Sequence, residues 1–209
     1  MQINLSHPPI SPDDYLHAEQ LGETKHQLID GEIFAMAGAS EIHNLLSLNL
    51  ASELKNQLKG KPYRTFIADM KVRVADDFYY PDVMVVCTED KAHDYYKTSP
   101  IIIVEVLSKA TRKFDQTSKR LRCQNIPTLE EYVLIEQDKG EIQVFRKQQH
   151  WQSSYLLLSR RRHHLYLARH YAIRRRLLRS GRQRRCVGFL NSRASLKLLY
   201  HSIYGCLMP

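Results

Sequence analysis

The run Ile101–Leu107 (IIIVEVL) constrains this chain more than any other stretch. So continuous an apolar run suits a strand buried on both faces near the centre of a sheet. A second such run, Tyr80–Cys87 (YPDVMVVC), precedes it across a polar interval. Each carries one acid: Asp82 at the start of the first run and Glu105 near the end of the second. A carboxylate in such surroundings costs several kcal/mol unless something pairs with it. Any fold must therefore provide a partner for two acids that neighbouring strands would carry on one side of the sheet.

The rest of the pattern supplies flanking elements. Residues 11–19 read as a short helix, with Ser11 as N-cap, Pro12 at the first helical position and Asp13 and Asp14 in the first turn. Asp30-Gly31 between two apolar runs signals a hairpin. Residues 40–59 repeat Ile42, Leu45, Leu46, Leu50, Leu54 and Leu58 at three- and four-residue steps and stop at Gly60 and Pro62, the mark of an amphipathic helix. Strands are expected at 63–68 and 70–75, with a polar turn at Asp76-Asp77, and then at 80–87 and 101–107. A helix is expected at 111–123, and strands at 130–136 and 141–147. The order predicts a mixed sheet flanked by helices, an α/β (α+β) domain.

Composition divides the chain. All 22 acidic residues lie between Asp13 and Glu141, where they face 16 Lys and Arg; residues 142–209 hold 15 Lys and Arg and no acid. The total of +9 is thus no general affinity for nucleic acid, because the first part is net acidic. We read residues 1–156 as the domain and 157–209 as an atypical basic segment, either a frame-shifted product, a disordered tail or a nucleic-acid-binding extension. The apolar runs fall short of the ~20 residues of a membrane span, and no signal peptide is visible at the N-terminus. The cysteines Cys87, Cys123, Cys186 and Cys206 form no CxxC. They read as free thiols, and the chain as cytoplasmic.

Two carboxylates on one side of a sheet resist joint ionisation, and a hard divalent ion relieves them: Mg²⁺, with Mn²⁺ as substitute, prefers carboxylate oxygens. Such a site can polarise a phosphoryl oxygen, and a lysine is the natural third member. The position two beyond Glu105 is Leu107, so the lysine must come from elsewhere. Lys119, four residues from Asp115 on the next helix, is one candidate, and Lys71 is another. Glu32 and His43 are candidates for the wall of the same pocket.

The stretches HQLIDGEIFAMAGASEIHNLLSLNLASELKNQL, ADMKVRV, YYPDVMVV, DYYKTSPIIIVEVLS, FDQTSKR and PTLEEYVLIEQD resemble the Uma2 family of restriction-endonuclease-like proteins in the PD-(D/E)XK nuclease superfamily. The resemblance covers roughly residues 10–155. It implies a restriction-endonuclease-like fold and Mg²⁺-dependent hydrolysis of DNA by an endonuclease, the alternative being a catalytically inactive nuclease-fold protein that binds DNA or a partner. By that similarity Asp82 and Glu105 match the metal-binding pair, and Lys119 a lysine moved from strand to helix. A homodimer would place two sites on a duplex. Where the family commonly has glutamate, this chain has Gln27.

Overall fold

The N-terminal helix starts where its cap predicts. Ser11 Oγ accepts the Asp14 amide at 3.1 Å, and the helix α1 spans Pro12–Leu21. The computed structural model describes residues 8–157 except 89, 91–92 and 139–140. The basic segment 157–209, but for its first residue, lies outside the described residues, as do Cys186 and Cys206. Beyond α1 comes the expected hairpin, β1 (His26–Ile29) and β2 (Glu32–Ala35). Asp30 and Gly31 both take positive φ, 51° and 77°, which matches the right-handed twist of the two strands. The long helix α2 (Glu41–Gln57) is capped by Ser40, whose hydroxyl accepts the His43 amide at 3.2 Å.

Strands follow as β3 (Tyr63–Ile67), β4 (Lys71–Val74), β5 (Asp77–Tyr79), β6 (Val83–Cys87), β7 (Tyr96–Lys97) and β8 (Pro100–Leu107). Two short helices, α3 (Arg112–Gln116) and α4 (Ser118–Cys123), lead to β9 (Glu131–Glu136), β10 (Glu141–Arg146) and β11 (Ser153–Leu157). The main sheet is mixed, in the order β11-β10-β9-β8-β6-β3, and only its β8–β9 pair is parallel. The parallel pair needs a crossover, and α3 and α4 provide it. A second sheet has the order β2-β1-β5-β4-β7. The architecture is the expected mixed central sheet flanked by helices.

Several expectations change in detail. Residues 111–123 are two helices because the backbone breaks at Thr117 (φ −120°, ψ −92°). Asp77 is not in a turn: it opens β5 and is buried, because its carboxylate has partners from three directions. Tyr79 Oη donates to it at 2.7 Å, the Asp30 amide at 2.8 Å and Arg122 at 2.5 Å. Ile42 is largely exposed, so the buried stripe of α2 begins at Leu46. Among the described residues no helix is long and apolar enough to cross a membrane.

The core lies on both faces of the main sheet. Leu46, Leu50 and Leu54 of α2 pack with Val83, Val85, Val104 and Val106 on one face. Met84, Ile103 and Leu107 on the other meet Val72, Val74, Tyr79 and Cys123. Burial on both sides explains why β6 and β8 read as unbroken apolar runs.

Candidate functional site: a charged centre at the end of two core strands

The register of β6 on β8 sets Val83 opposite Val104 and Met84 opposite Ile103. Side chains alternate along a strand, so Glu105, one step beyond Val104, shares the face of Ile103, while Asp82 stands just before β6. Asp82 precedes the ladder, and its carboxylate is free to turn toward the strand end. Its Oδ2 accepts the Val106 amide at 2.7 Å and lies 3.2 Å from His43 Nε2, which α2 projects from the opposite side.

Glu105 is 2% exposed. Lys119 Nζ lies 2.9 Å from Glu105 Oε1 and 3.7 Å from Asp115 Oδ1, and donates to the Tyr80 carbonyl at 3.2 Å. The break at Thr117 does not separate Asp115 from Lys119, so their four-residue spacing still brings them together. Although the ammonium is close, it meets Glu105 Oε1 off the line of a directed hydrogen bond, and that oxygen is sealed without an aligned donor.

Burial, against the pull of Lys119, pushes the Glu105 carboxyl well above its ordinary range, and the charges of Asp115 and Asp82 add to it. Burial likewise raises Asp115. Lys119 loses hydration too, but Glu105, Asp115 and Asp82 outweigh that loss and hold its proton more tightly than usual. The hydrogen bond to Asp82 raises His43 above the ordinary imidazole value. Lys119 thus holds its proton beside Glu105 and Asp115, and His43 is a second, pH-dependent cation beside Asp82.

The structure brings together Asp82, Glu105, Lys119, Asp115 and His43. It does not bring Glu32 or Lys71 to them. Glu32 stands on β2, whose four residues are all exposed. Lys71 is buried, but alternation along β4 separates it from Val72 and Val74, which face the inter-sheet core. Its Nζ lies over the Tyr80 ring at 5.2 Å instead. Gln27 shares its face of β1 with Ile29, which packs against the inter-sheet core, and Gln27 Oε1 is sealed without a donor. The Tyr80 carbonyl is a member of the centre that side-chain reading could not find, since a backbone oxygen leaves no mark in the sequence.

These donors do not form a ready cage for the expected Mg²⁺. Among the described residues no three His, Cys, Asp or Glu converge as a metal-holding group. The ammonium of Lys119 already stands between Glu105 and Asp115, where a divalent ion would compete with it. As arranged, the centre fits an internal ammonium.

A family model described as "Uma2: Putative restriction endonuclease" matches residues 12–167. The chain belongs to the Uma2 family. Two relatives from Synechocystis sp. are similar to it, both named only as uncharacterized proteins. One, sll1609, is 37% identical over 139 residues, covering 64% of this chain and 78% of the relative. The other, slr1290, is 35% identical over 144 residues, covering 67% and 75%. Among solved structures, one described as a putative nuclease belonging to DUF820 from Anabaena variabilis superposes with a TM-score of 0.60. It is 21% identical and covers 71% of this chain and 84% of its own, a likeness of fold. This Uma2 chain thus combines a nuclease-like family and fold with the Asp82–Glu105–Lys119 centre.

Proposed function

We propose that this Uma2 protein is a nuclease-fold DNA-binding protein whose acidic centre is neutralised from within and which does not hydrolyse its ligand. The position of Lys119 carries this reading. Its ammonium lies against Glu105 and Asp115, and its burial leaves it no free reach to a phosphate. DNA as the ligand is supported by the family's description and by the fold shared with the Anabaena protein. Lys109 and Lys113 are exposed on the segment that opens α3, two and six residues past β8, and are the phosphate contacts in this reading. Phosphate contacts of that kind confer affinity that falls with salt.

A second reading, Mg²⁺- or Mn²⁺-dependent hydrolysis of DNA phosphodiester bonds, is favoured by one observation. Glu105 Oε1 has no aligned hydrogen-bond donor, so one acceptor of the acidic pair lacks a directed partner. Asp82 and Glu105 would be its acidic pair and Lys119 its lysine, and two copies would serve the two strands of a duplex.

One experiment separates the two. Labelled duplex and single-stranded DNA are incubated with wild type and Glu105→Ala, in EDTA, Mg²⁺ or Mn²⁺, and both retention and cleavage are read. The first reading expects retention in EDTA, weakened by Lys109→Ala with Lys113→Ala, and no cleavage in any metal. Metal-dependent cleavage lost in Glu105→Ala overturns it in favour of hydrolysis. Neither retention nor cleavage by wild type overturns both.

A further inference from the structure

Among the described residues, strand β2 is an exposed edge with little protection. Among the described residues it pairs only with β1, and all four of its residues are exposed. Ile33 and Phe34 are 39% and 45% exposed, and Glu-Ile-Phe-Ala contains neither lysine nor proline. Native edges are ordinarily blunted by shortness, charge, proline, bulges or a covering segment, and β2 has only its four-residue length and Glu32. The other edge of the same sheet, β7, is only two residues long.

The hairpin register determines which backbone groups face outward. Met36 N donates to Lys25 O at 2.9 Å, and the ladder then pairs His26 with Ala35, Gln27 with Phe34, Leu28 with Ile33 and Ile29 with Glu32. Hydrogen-bonded and non-hydrogen-bonded pairs alternate along an antiparallel ladder. Met36, Phe34 and Glu32 therefore direct their N–H and C=O groups to β1, while Ile33 and Ala35 direct theirs away from it.

We propose that two copies of this chain join edge to edge through β2, antiparallel about a two-fold axis at Phe34. In this register the outward groups match, because Ile33 of each copy exchanges hydrogen bonds with Ala35 of the other. Phe34 then meets its own counterpart as a non-hydrogen-bonded pair, where side chains approach most closely. Glu32 falls opposite Met36, so the strand's only charge never meets itself. A strand with Glu at position 34 would have opposed like charges at the axis; this sequence has an aromatic residue there. The partner is a second copy because a C₂ contact demands a self-complementary patch, and this edge is self-complementary in hydrogen bonding, charge and apolar surface. A four-residue edge is small beside the ~1,200 Å² or more of stable interfaces, so the dimer is weak and concentration-dependent. The inference does not rest on the DNA-binding reading.

Full-length protein is tested by sedimentation over a wide concentration range and by oxidative cross-linking of cysteine variants. Wild type is expected to dimerise reversibly, and Phe34→Lys to weaken the dimer about tenfold or more with an unchanged circular dichroism spectrum. Ile33→Lys, on the opposite face of the strand, serves if Phe34→Lys does not fold. Phe34→Cys is expected to cross-link faster than wild type, because the paired Cα atoms would be about 4.5 Å apart, within disulfide reach. Glu32→Cys is not, since four residues along the strand separate its two copies by roughly 13 Å. Three results would overturn the proposal: a monomer at every concentration, a dimer indifferent to both lysine variants, or equal cross-linking at positions 32 and 34. The first would leave another segment of the chain as the cover of β2.

Discussion

Lys119→Met tests the electrostatic logic of the centre most directly. The substitution keeps the length and apolar stem of the side chain and removes the ammonium that lies 2.9 Å from Glu105 Oε1 and 3.7 Å from Asp115 Oδ1. Both carboxylates are buried, so neither can recover its hydration. Removing one member of a buried ion pair costs about 3–5 kcal/mol, a large part of the 5–15 kcal/mol typical of a domain. At roughly 2–4 °C per kcal/mol for a domain of this size, the melting temperature should fall by about 6–20 °C. The loss should also depend on pH, with a definite sign. Glu105 has a raised pKa in the folded state, and without Lys119 it rises further. A group of that kind favours folding most below its unfolded pKa, about 4.3, and loses that contribution as pH climbs toward the folded value. The deficit of Lys119→Met is therefore small near pH 4 and largest at neutral and alkaline pH. Adding Glu105→Gln, which removes the stranded charge, should restore part of the stability at pH 7. Thermal and urea melts of the two single variants and the double variant from pH 4 to 9 are the assay. A deficit of less than about 1 kcal/mol at pH 7, or one that does not shrink on acidification, would refute Lys119 as the resident counter-ion.

Three other perturbations have definite expectations. His43→Gln should cost about 1–2 kcal/mol at pH 5–6 and less in alkali, because a raised imidazole pKa stabilises below the unfolded value and that gain is lost as pH rises through the folded one; a proton NMR titration should place His43 above 6.5. Arg122→Ala leaves buried Asp77 without its cation and Asp30 without its hydrogen bonds, and should cost about 1–3 kcal/mol in urea denaturation. Gly31→Ala should destabilise by more than 1 kcal/mol, since residue 31 holds φ +77° and a Cβ there would collide with Pro9; thermal melts would show it, and an unchanged midpoint would contradict the turn geometry.

Local chemistry announced much of this fold. Ser11 caps the helix it was expected to cap, Asp30-Gly31 makes the hairpin turn, and the apolar runs become the two inner strands β6 and β8. These signals operate within a few residues, so they survive in a one-dimensional string. Asp82 and Glu105 were also visible, because a charge in an apolar run stands out wherever the chain folds. The contact of Asp82 with His43 was not, because it depends on where α2 packs against the strand end.

Tertiary structure decided what the charges do. Asp115 and Lys119 are close in the chain, but only the crossover from β8 to β9 lays them over Glu105. Lys119 and, less favoured, Lys71 were the candidate lysines; alternation along β4 turned Lys71 away, and the α3–α4 crossover brought Lys119 in. Asp77 read as half of a polar turn because nothing in its neighbourhood foretells Arg122, 45 residues away. Sequence determined which groups needed partners, since the cost of burying a charge belongs to the residue. Only the packed chain could determine the partners, since an ion pair forms between atoms that long loops and strand register bring together.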